Sequence, residues 1–165
     1  MTVNPFNASQ LSIVEYSAEL APHFYDINAE WIDGMFVMEA GDRSVLENPQ
    51  TAIIDKGGVI LFCAAPDLGI IGVCALKPSA PGEVELTKMG VLASAQGRKA
   101  GEFLLNEVLN RARQMNLKRL YLLTNSVCAP AIHLYEKSGF QHDAGIMEEF
   151  GGNYDRCDVA MLYPL

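Results

Sequence analysis

The chain has 165 residues and a formal net charge of −8, and 50% of its residues are hydrophobic. This length allows a substantial core and predicts one folded domain over residues 1–165. The acidic balance argues against general nucleic-acid binding, which depends on Lys and Arg to neutralise phosphates. No apolar run approaches the roughly 20 residues that a membrane span needs, so no membrane association is expected.

The N-terminus and the cysteines bear on the cellular compartment and on metal binding. Residues 1–6 lack the basic and apolar regions of a secretory signal, which predicts a cytoplasmic protein. No C-x-x-C pair occurs and the three histidines are scattered, so no metal site is expected. Two of the four cysteines lie in apolar runs and are predicted to be small core residues, namely Cys63 and Cys74.

The first third of the chain predicts one strand followed by two helices. Residues 11–16 predict a short strand, and residues 18–32 predict a helix with Phe24, Ile27 and Trp31 on one face. A second short helix is predicted over residues 43–47, because the Asn48-Pro49 pair that follows is typical of a helix end.

The middle of the chain predicts three strands separated by turns. Residues 59–65 and 70–76 are apolar, and the turn residues at 66–69 between them predict a hairpin. A stretch with two prolines and a glycine at 78–82 is predicted to break the chain before a third strand over residues 83–91.

The last part of the chain alternates strands with helices. A strand is predicted over residues 120–123, a helix over 130–138 with Gly139 as its stop, and a final strand over 156–162. Hairpins first and strand–helix alternation afterwards predict an α/β (α+β) fold. Its central sheet would be mixed and largely antiparallel, with helices on both faces.

A small-residue, basic turn precedes the longest predicted helix. It reads Gln96-Gly97-Arg98-Lys99-Ala100-Gly101, and an apolar stripe from Leu104 to Met115 follows at helical spacing. Unpaired N–H groups and the positive end of a helix dipole make such a turn suitable for holding a phosphate. A plain solvated helix start is the alternative interpretation.

The motifs from residue 83 to residue 140 resemble the GNAT superfamily of N-acetyltransferases. The family's phosphate turn reads Q/R-x-x-G-x-G/A, which the Gln96–Gly101 turn resembles. A later family motif, L-Y-E-K-x-G-F, is similar to Leu134-Tyr135-Glu136-Lys137-Ser138-Gly139-Phe140, which Asn125 precedes. The strand from Glu85 to Val91 also has the character of the family. The resemblance implies a GNAT-like acyl-CoA N-acyltransferase fold.

The resemblance implies transfer of an acetyl group from acetyl-CoA to a primary amine by direct attack, without a metal. It assigns Tyr135 as the acid that protonates the leaving thiolate and Glu85 as a candidate base, with ordered water as the alternative base. It also implies a set of residues that contact the co-substrate: Met89, Gly90, Val91, Gln96, Gly97, Arg98, Lys99, Ala100, Gly101, Asn125, Ala131 and Tyr135.

Three of these residues have specific alternatives. Tyr135 could pack on the core with its hydroxyl in water, and Glu85 could be a solvated strand residue. Gly90 suits a β-bulge that would open the sheet, or it could serve packing alone.

The chain departs from the family pattern at two positions. Lys99 stands where the family usually has a glycine, and a positive φ there would be costly for lysine. Cys128, rather than an asparagine, lies three residues before Ala131, which makes Asn125 a less regular co-substrate contact. The Lys99 departure leaves a second hypothesis open, a catalytically silent acyl-CoA-binding sensor or interaction module.

The acceptor is the part that the sequence defines least. A small-molecule amine and a peptide amine are both compatible with an acidic chain, and a homodimer is possible by resemblance to the family. Candidate contacts from the early and late regions are Tyr25, Asn28, Trp31, Phe36, Glu39, Glu148, Glu149 and Tyr154.

Overall fold

A computed structural model describes residues 10–165, which form a mixed seven-stranded sheet with six α-helices. The predicted lack of a secretory signal concerns residues 1–6 and lies outside the described residues. Within residues 10–165, no helix has the length and apolar character needed to cross a membrane.

The strands and helices are defined as follows. The strands are β1 (Ser12–Glu15), β2 (Val59–Ala65), β3 (Gly69–Ala80), β4 (Glu83–Val91), β5 (Arg119–Thr124), β6 (Gln141–His142) and β7 (Val159–Tyr163). The helices are α1 (Ala21–Met35), α2 (Ala40–Leu46), α3 (Pro49–Ala52), α4 (Ala100–Arg113), α5 (Ala129–Ser138) and α6 (Ala144–Phe150). The strand order is β1-β2-β3-β4-β5-β7-β6, and only the β4–β5 pair is parallel.

The predicted mixed, largely antiparallel sheet with helices on both faces is confirmed. One face packs on α4 through Leu104, Leu105 and Val108 of the predicted apolar stripe, and Tyr135 of α5 joins the same core. The opposite face packs on α1 and α2 through residues such as Phe24 and Ile27. The predicted small core cysteines, Cys63 and Cys74, are both buried, as expected.

The predicted break at residues 78–82 is wrong over its first three residues. Strand β3 continues to Ala80, and Pro78 lies opposite Val84 of β4. The pairing of β3 with β2 stops at Leu76, so the missing N–H of Pro78 leaves no ladder bond unmade on that side. The turn itself is confined to Pro81-Gly82, where Gly82 has φ +76°.

Three short elements have no counterpart in the sequence-based prediction: α3, β6 and α6. Helix α6 starts at a local cap, because the Asp143 side chain accepts a hydrogen bond of 2.9 Å from the Ile146 N–H. It packs against the end of the sheet through Ile146, next to Tyr121 and Ala160.

The two parallel strands are joined over a very short length. Residues 83–85 of β4 pair with residues 119–121 of β5, and no further pairs form between these strands in the described chain. Beyond the paired segment, residues 86–91 and 122–124 line a common cavity. The sheet is therefore open between β4 and β5, in the middle of the molecule.

Candidate functional site

The opening between β4 and β5 is a cavity of about 280 Å³. Its walls come from both strands, the first turn of α5, the end of α1 and the loop before β7, with lining residues that include Trp31, Phe36, Ala131, Tyr135, Tyr154 and Arg156. A second cavity adjoins it at Met89–Val91, Gln96 and Ala131 and reaches the start of α4. Together they make a continuous path from the helix turn into the sheet.

A bulge in β4 shapes this path. Val73 lies opposite Gly90 and Ala75 opposite Thr87, so three steps along β4 face two steps along β3. Lys88 lies within this bulge and has φ +53°, which is unusual for a residue with a side chain. The sequence-based expectation of a bulge near Gly90 therefore agrees with the structure, although the strained residue is Lys88.

The bulge also changes which way the side chains point. Strict alternation predicts Met89 on the same face as Glu85 and Thr87, and this is wrong. Met89 packs with the core under α4, whereas the Lys88 ammonium reaches Asp42 of α2. The extra residue reverses the alternation of side chains after Thr87, so the Lys88 side chain lies on the same face of the sheet as Glu85.

Gly90 is required by the close approach of Trp31. A Cβ at position 90 would lie 2.6 Å from Trp31 Cδ1 and 3.2 Å from Ile27 Cγ2. The indole N–H donates to Asn28 Oδ1 at 2.9 Å, which fixes the ring against the strand. The backbone of Met89–Val91 therefore borders the cavity, and the Trp31 ring, which also lines it, packs against the backbone at Gly90.

The Gln96–Gly101 turn has the geometry of an anion cradle. Gly97 has φ +85° and Lys99 has φ +59°, so the family's glycine position does take a left-handed conformation here. The first helical hydrogen bond of α4 runs from Phe103 N–H to Lys99 C=O. The N–H groups of Ala100, Gly101 and Glu102 precede it and lie free at the N-terminus of the helix.

The side chains of the turn are placed in different ways. The Arg98 guanidinium donates a 2.7 Å hydrogen bond to Asp67 in the β2–β3 turn, so this charge already has a partner. Gln96 Nε2 donates to the Val91 carbonyl at 3.3 Å and ties the turn to the end of β4. A Cβ on Gly101 would lie 3.3 Å from Leu134, which keeps α4 and α5 close at this point.

Tyr135 lies in the wall between the cavity and the core. Its ring packs against Phe140 with centroids 5.8 Å apart, and the residue is 7% exposed. Burial raises the pKa of the Tyr135 hydroxyl above its usual value, and the nearby Cys74 and Cys128 act in the same direction. The hydroxyl therefore stays protonated at neutral pH and can act as a proton donor.

Glu85 is buried on the opposite face of the sheet. The residue is 4% exposed, and it is separated from the cavity by Thr87 and Tyr154, which do line it. Burial raises the pKa of the Glu85 carboxyl, although Lys88 and Lys77 oppose that rise. The Tyr154 hydroxyl donates to Glu85 Oε2 at 3.4 Å. Glu85 is thus a buried carboxyl that is hydrogen-bonded to Tyr154, rather than a solvated strand residue.

Lys88, which acts on this carboxyl, belongs to a group of paired charges that we call the acidic–basic cluster: Glu39, Asp42, Lys88 and Arg156. Asp42 and Lys88 are buried, and Glu39 and Arg156 are half-buried. Asp42 is fully buried and accepts from Lys88 at 2.8 Å and from both Arg156 Nη atoms at 2.7 Å. Arg156 also lies over the rings of Trp31, Phe36 and Tyr154. Glu39 is among the contacts predicted from the sequence, whereas Asp42, Lys88 and Arg156 carry no local motif that predicts them.

Asn125 has a different environment from the one that the resemblance implies. Its amide Nδ2 donates to the Arg156 carbonyl at 2.7 Å, and its Oδ1 accepts from the Val127 N–H at 2.8 Å. It lines the cavity while joining the β5–α5 loop to the loop before β7. Its position beside the path agrees with a co-substrate contact, which stays a prediction.

Comparison with known proteins places this geometry in a family. Residues 16–140 match the Acetyltransferase (GNAT) family. The amino-acid acetyltransferase of Yersinia pseudotuberculosis serotype O:1b (strain IP 31758) is 29% identical over 108 residues, which cover 65% of this chain. This chain spans only 21% of the length of that relative.

Solved structures share the whole fold. An acetyltransferase of the GNAT family from Staphylococcus aureus Mu50 superposes with a TM-score of 0.81 at 20% identity, covering 93% of this chain and 98% of that one. The PaiA N-acetyltransferase of Thermoplasma acidophilum, in complex with coenzyme A, gives a TM-score of 0.71 at 19% identity over 94% and 99%. The match over residues 16–140, together with this fold, establishes that the chain belongs to the acetyltransferase (GNAT) family, a family of acyltransferases.

Proposed function

We propose that the protein is an acetyl-CoA-dependent N-acetyltransferase that acts on a primary amine by direct attack. The single observation that carries this proposal is the gap between β4 and β5. It connects the open N–H groups at the start of α4 with Tyr135 in the wall of the cavity. A thioester laid along this path would present its acyl carbon between the two faces of the sheet.

The chain offers a fitting set of groups to coenzyme A. The free N–H groups of Ala100, Gly101 and Glu102 suit the pyrophosphate, and the two positive φ angles in the preceding turn favour a cradle for an anion. The backbone of Met89–Val91 borders the gap and can pair with an extended amide-bearing arm in the manner of an added strand. Ala131 is small enough to let the arm pass beside α5.

Acetyl-CoA, when bound, supplies an already activated acyl group, so no covalent enzyme intermediate is needed. The residues of the chain then have two tasks. Glu85 accepts the proton that the amine must lose, and its burial makes it a stronger base than an exposed carboxylate. Tyr135 donates a proton to the departing sulfur from the other side of the gap. The two groups approach the reaction from opposite faces of the sheet.

The acceptor side of the cavity favours an amine that carries no carboxylate. In the described chain, the cationic side chains that line the main cavity are Lys88 and Arg156, and both already bind Asp42. Neither is available to neutralise the carboxylate of an amino acid. Trp31, Met35 and Phe36 offer an apolar wall instead, so we infer an acceptor with an apolar body. A cytoplasmic location and a homodimer stay predictions from the sequence.

The test is a thiol-release assay with acetyl-CoA and matched acceptors. Phenethylamine and L-phenylalanine differ by a single carboxylate, and spermidine and a tripeptide extend the range. We expect turnover with phenethylamine at a kcat/KM at least tenfold above that with L-phenylalanine. Coenzyme A binding without turnover of any amine would contradict the proposal and support the silent sensor. Equal use of the two matched acceptors would contradict the acceptor class alone.

A further inference from the structure

Glu85 does not line the cavity that would hold the acceptor amine, so a proton from that amine needs a path to the carboxyl. Its carboxyl is absent from the cavity wall, whereas Tyr154, Thr87 and Lys88 are part of that wall. A base that cannot touch the amine needs an intermediate group. We propose that the Tyr154 hydroxyl relays the proton from the acceptor amine to Glu85; this inference rests on the proposed function.

The contacts of the Tyr154 hydroxyl suit a relay. It donates to Glu85 Oε2 at 3.4 Å and accepts from the Lys88 ammonium at 3.4 Å. The Thr87 hydroxyl lies near both groups and lowers the pKa of Tyr154 and of Glu85. The Tyr154 phenol therefore lies between the buried carboxyl and the cavity, and its hydroxyl already donates a hydrogen bond to Glu85 Oε2.

The surroundings hold the phenol in this place. Lys88 Nζ lies 4.7 Å from the Tyr154 ring centroid, and the Arg156 guanidinium lies 5.1 Å from it. The backbone N–H groups that follow, of Asp155 and Arg156, donate to the Glu39 carboxylate at 2.8 and 3.4 Å. The loop that carries Tyr154 is thus attached to α2 at several points, and its hydroxyl is prepositioned.

The relay is balanced in protons and electrons. One N–H bond of the acceptor ammonium breaks and its electron pair stays on nitrogen as the attacking lone pair. That proton forms a bond with the Tyr154 oxygen while the original phenolic proton moves to Glu85 Oε2. Tyr154 begins and ends neutral, Glu85 becomes a neutral carboxylic acid, and the reverse path returns the proton to solvent after the product leaves.

The charges around Glu85 agree with this direction of transfer. Burial raises the pKa of Glu85, which strengthens it as a base, while Lys88, Lys77, the nearby Thr87 and the hydrogen bond from Tyr154 limit the rise. Tyr121 and Cys157 also face this carboxyl. Burial raises the pKa of Tyr154, so the phenol remains neutral and passes a proton without ionising.

The experiment is a double-mutant cycle on turnover. We expect Tyr154→Phe and Glu85→Gln each to lower kcat/KM by about 100-fold, within the usual range for general acid–base catalysis. The kcat/KM of the double variant should be no more than about threefold below that of the less active single variant, because the two groups act in the same proton transfer. Both variants should also lose the acidic limb of the pH–rate profile, whereas coenzyme A affinity should stay unchanged.

Two further variants make the result specific. Tyr163→Phe removes a hydroxyl whose partner is the exposed Arg113, and it should leave kcat/KM unchanged. Thr87→Val removes the other hydroxyl beside Glu85, and a loss larger than that of Tyr154→Phe would overturn the relay through tyrosine. Multiplicative losses in the double variant would also overturn it while the proposed function stands. A wild-type enzyme that acetylates no amine would overturn both.

Discussion

The Arg156 guanidinium binds the buried Asp42 carboxylate through two parallel hydrogen bonds, each 2.7 Å long. This pair connects helix α2 with the loop before β7 across the acceptor side of the cavity. Lys88 adds a third contact to the same carboxylate at 2.8 Å. One fully buried anion therefore holds two cations that come from parts of the chain far apart in sequence.

Removing the charge of Asp42 is expected to destabilise the fold strongly. Asp42→Asn leaves Lys88 and Arg156 without their shared counter-ion in a buried site, and breaking a buried pair in this way typically costs about 3–5 kcal/mol. Urea unfolding gives the free energy of unfolding directly. Asp67→Asn is the matched control, because its pair with Arg98 lies at the surface and should leave the urea midpoint unchanged. Equal urea midpoints for the two variants would contradict the role of Asp42.

The same site predicts a pH dependence of stability. Burial alone would raise the pKa of Asp42, but the hydrogen bonds from Arg156 and the charge of Lys88 outweigh it and hold this pKa well below its usual range. A depressed folded-state pKa stabilises the fold above the unfolded value of about 3.9. The contribution is lost as the pH falls toward the folded value. The stability difference between wild type and Asp42→Asn should therefore shrink below about pH 4 in urea titrations.

Lys99→Gly should stabilise the protein. Lys99 has φ +59° at the start of α4, a conformation that disfavours a side chain by about 1–2 kcal/mol but is easy for glycine. After the entropy cost of glycine, we expect a gain of about 0.5–1 kcal/mol in the free energy of unfolding. Ala100→Gly, one residue into the helix, is the control and should lose stability.

The same variant tests what the lysine charge contributes to binding. In the proposed site the backbone N–H groups make most of the contacts to the phosphates, so the dissociation constant for coenzyme A should rise by less than about fivefold in Lys99→Gly. Isothermal titration calorimetry measures this value. A loss of a hundredfold or more would mean that the ammonium, not the backbone, holds the phosphates.

Gly90→Ala should damage both packing and activity. The new methyl group would lie 2.6 Å from Trp31 Cδ1, so either the indole or the strand must move. Overpacking of this kind costs about 1–3 kcal/mol, and the displaced ring would intrude on the cavity. Gly72→Ala in the neighbouring strand meets no atom closer than 3.4 Å and serves as the control in thermal unfolding and turnover assays. Similar melting temperatures for the two variants would refute the packing role of Gly90.

Tyr135→Phe should lower turnover by about 100-fold or more while the affinity for coenzyme A stays within a few-fold of wild type. The variant removes the proposed proton donor but keeps the ring that packs on Phe140. Because burial raises the pKa of Tyr135, wild-type activity should show no loss near pH 10 from ionisation of this group. Steady-state kinetics across pH test both points, and unchanged turnover in the variant would exclude the acid role.

Strands β2 and β4 show what the sequence could predict. Both begin and end at the predicted residues: Gly58 and Pro66 flank the apolar run of β2, and the Pro81-Gly82 turn marks the start of β4. The short elements β6 and α6 were missed, since two exposed polar residues and a seven-residue helix carry little periodic signal. Long, regular segments are thus readable from sequence, whereas short elements depend on tertiary packing.

In the candidate site, residues that belong to local motifs can be predicted from the sequence, whereas contacts between distant residues cannot. The Gln96–Gly101 turn and Tyr135 carry local motifs; residues of the turn line the second cavity, and Tyr135 lines the main one. The link between Asp42 and Arg156 spans 114 positions, and no local pattern marks it. Gly90 indicates a bulge in β4, but no local pattern places its positive φ angle at Lys88. Contacts between distant charges are set by the folded sheet and become visible only there.

The three-residue pairing between β4 and β5 has a consequence for hydrogen exchange. Amide protons of β4 beyond Glu85 that point away from β3 face the cavity instead of a neighbouring strand. We expect them to exchange with solvent much faster than those bonded to β3, within the same strand. A ligand that pairs with this edge would slow the exchange of only these amide protons. Their exchange rates would therefore show, for each residue, whether the gap is occupied.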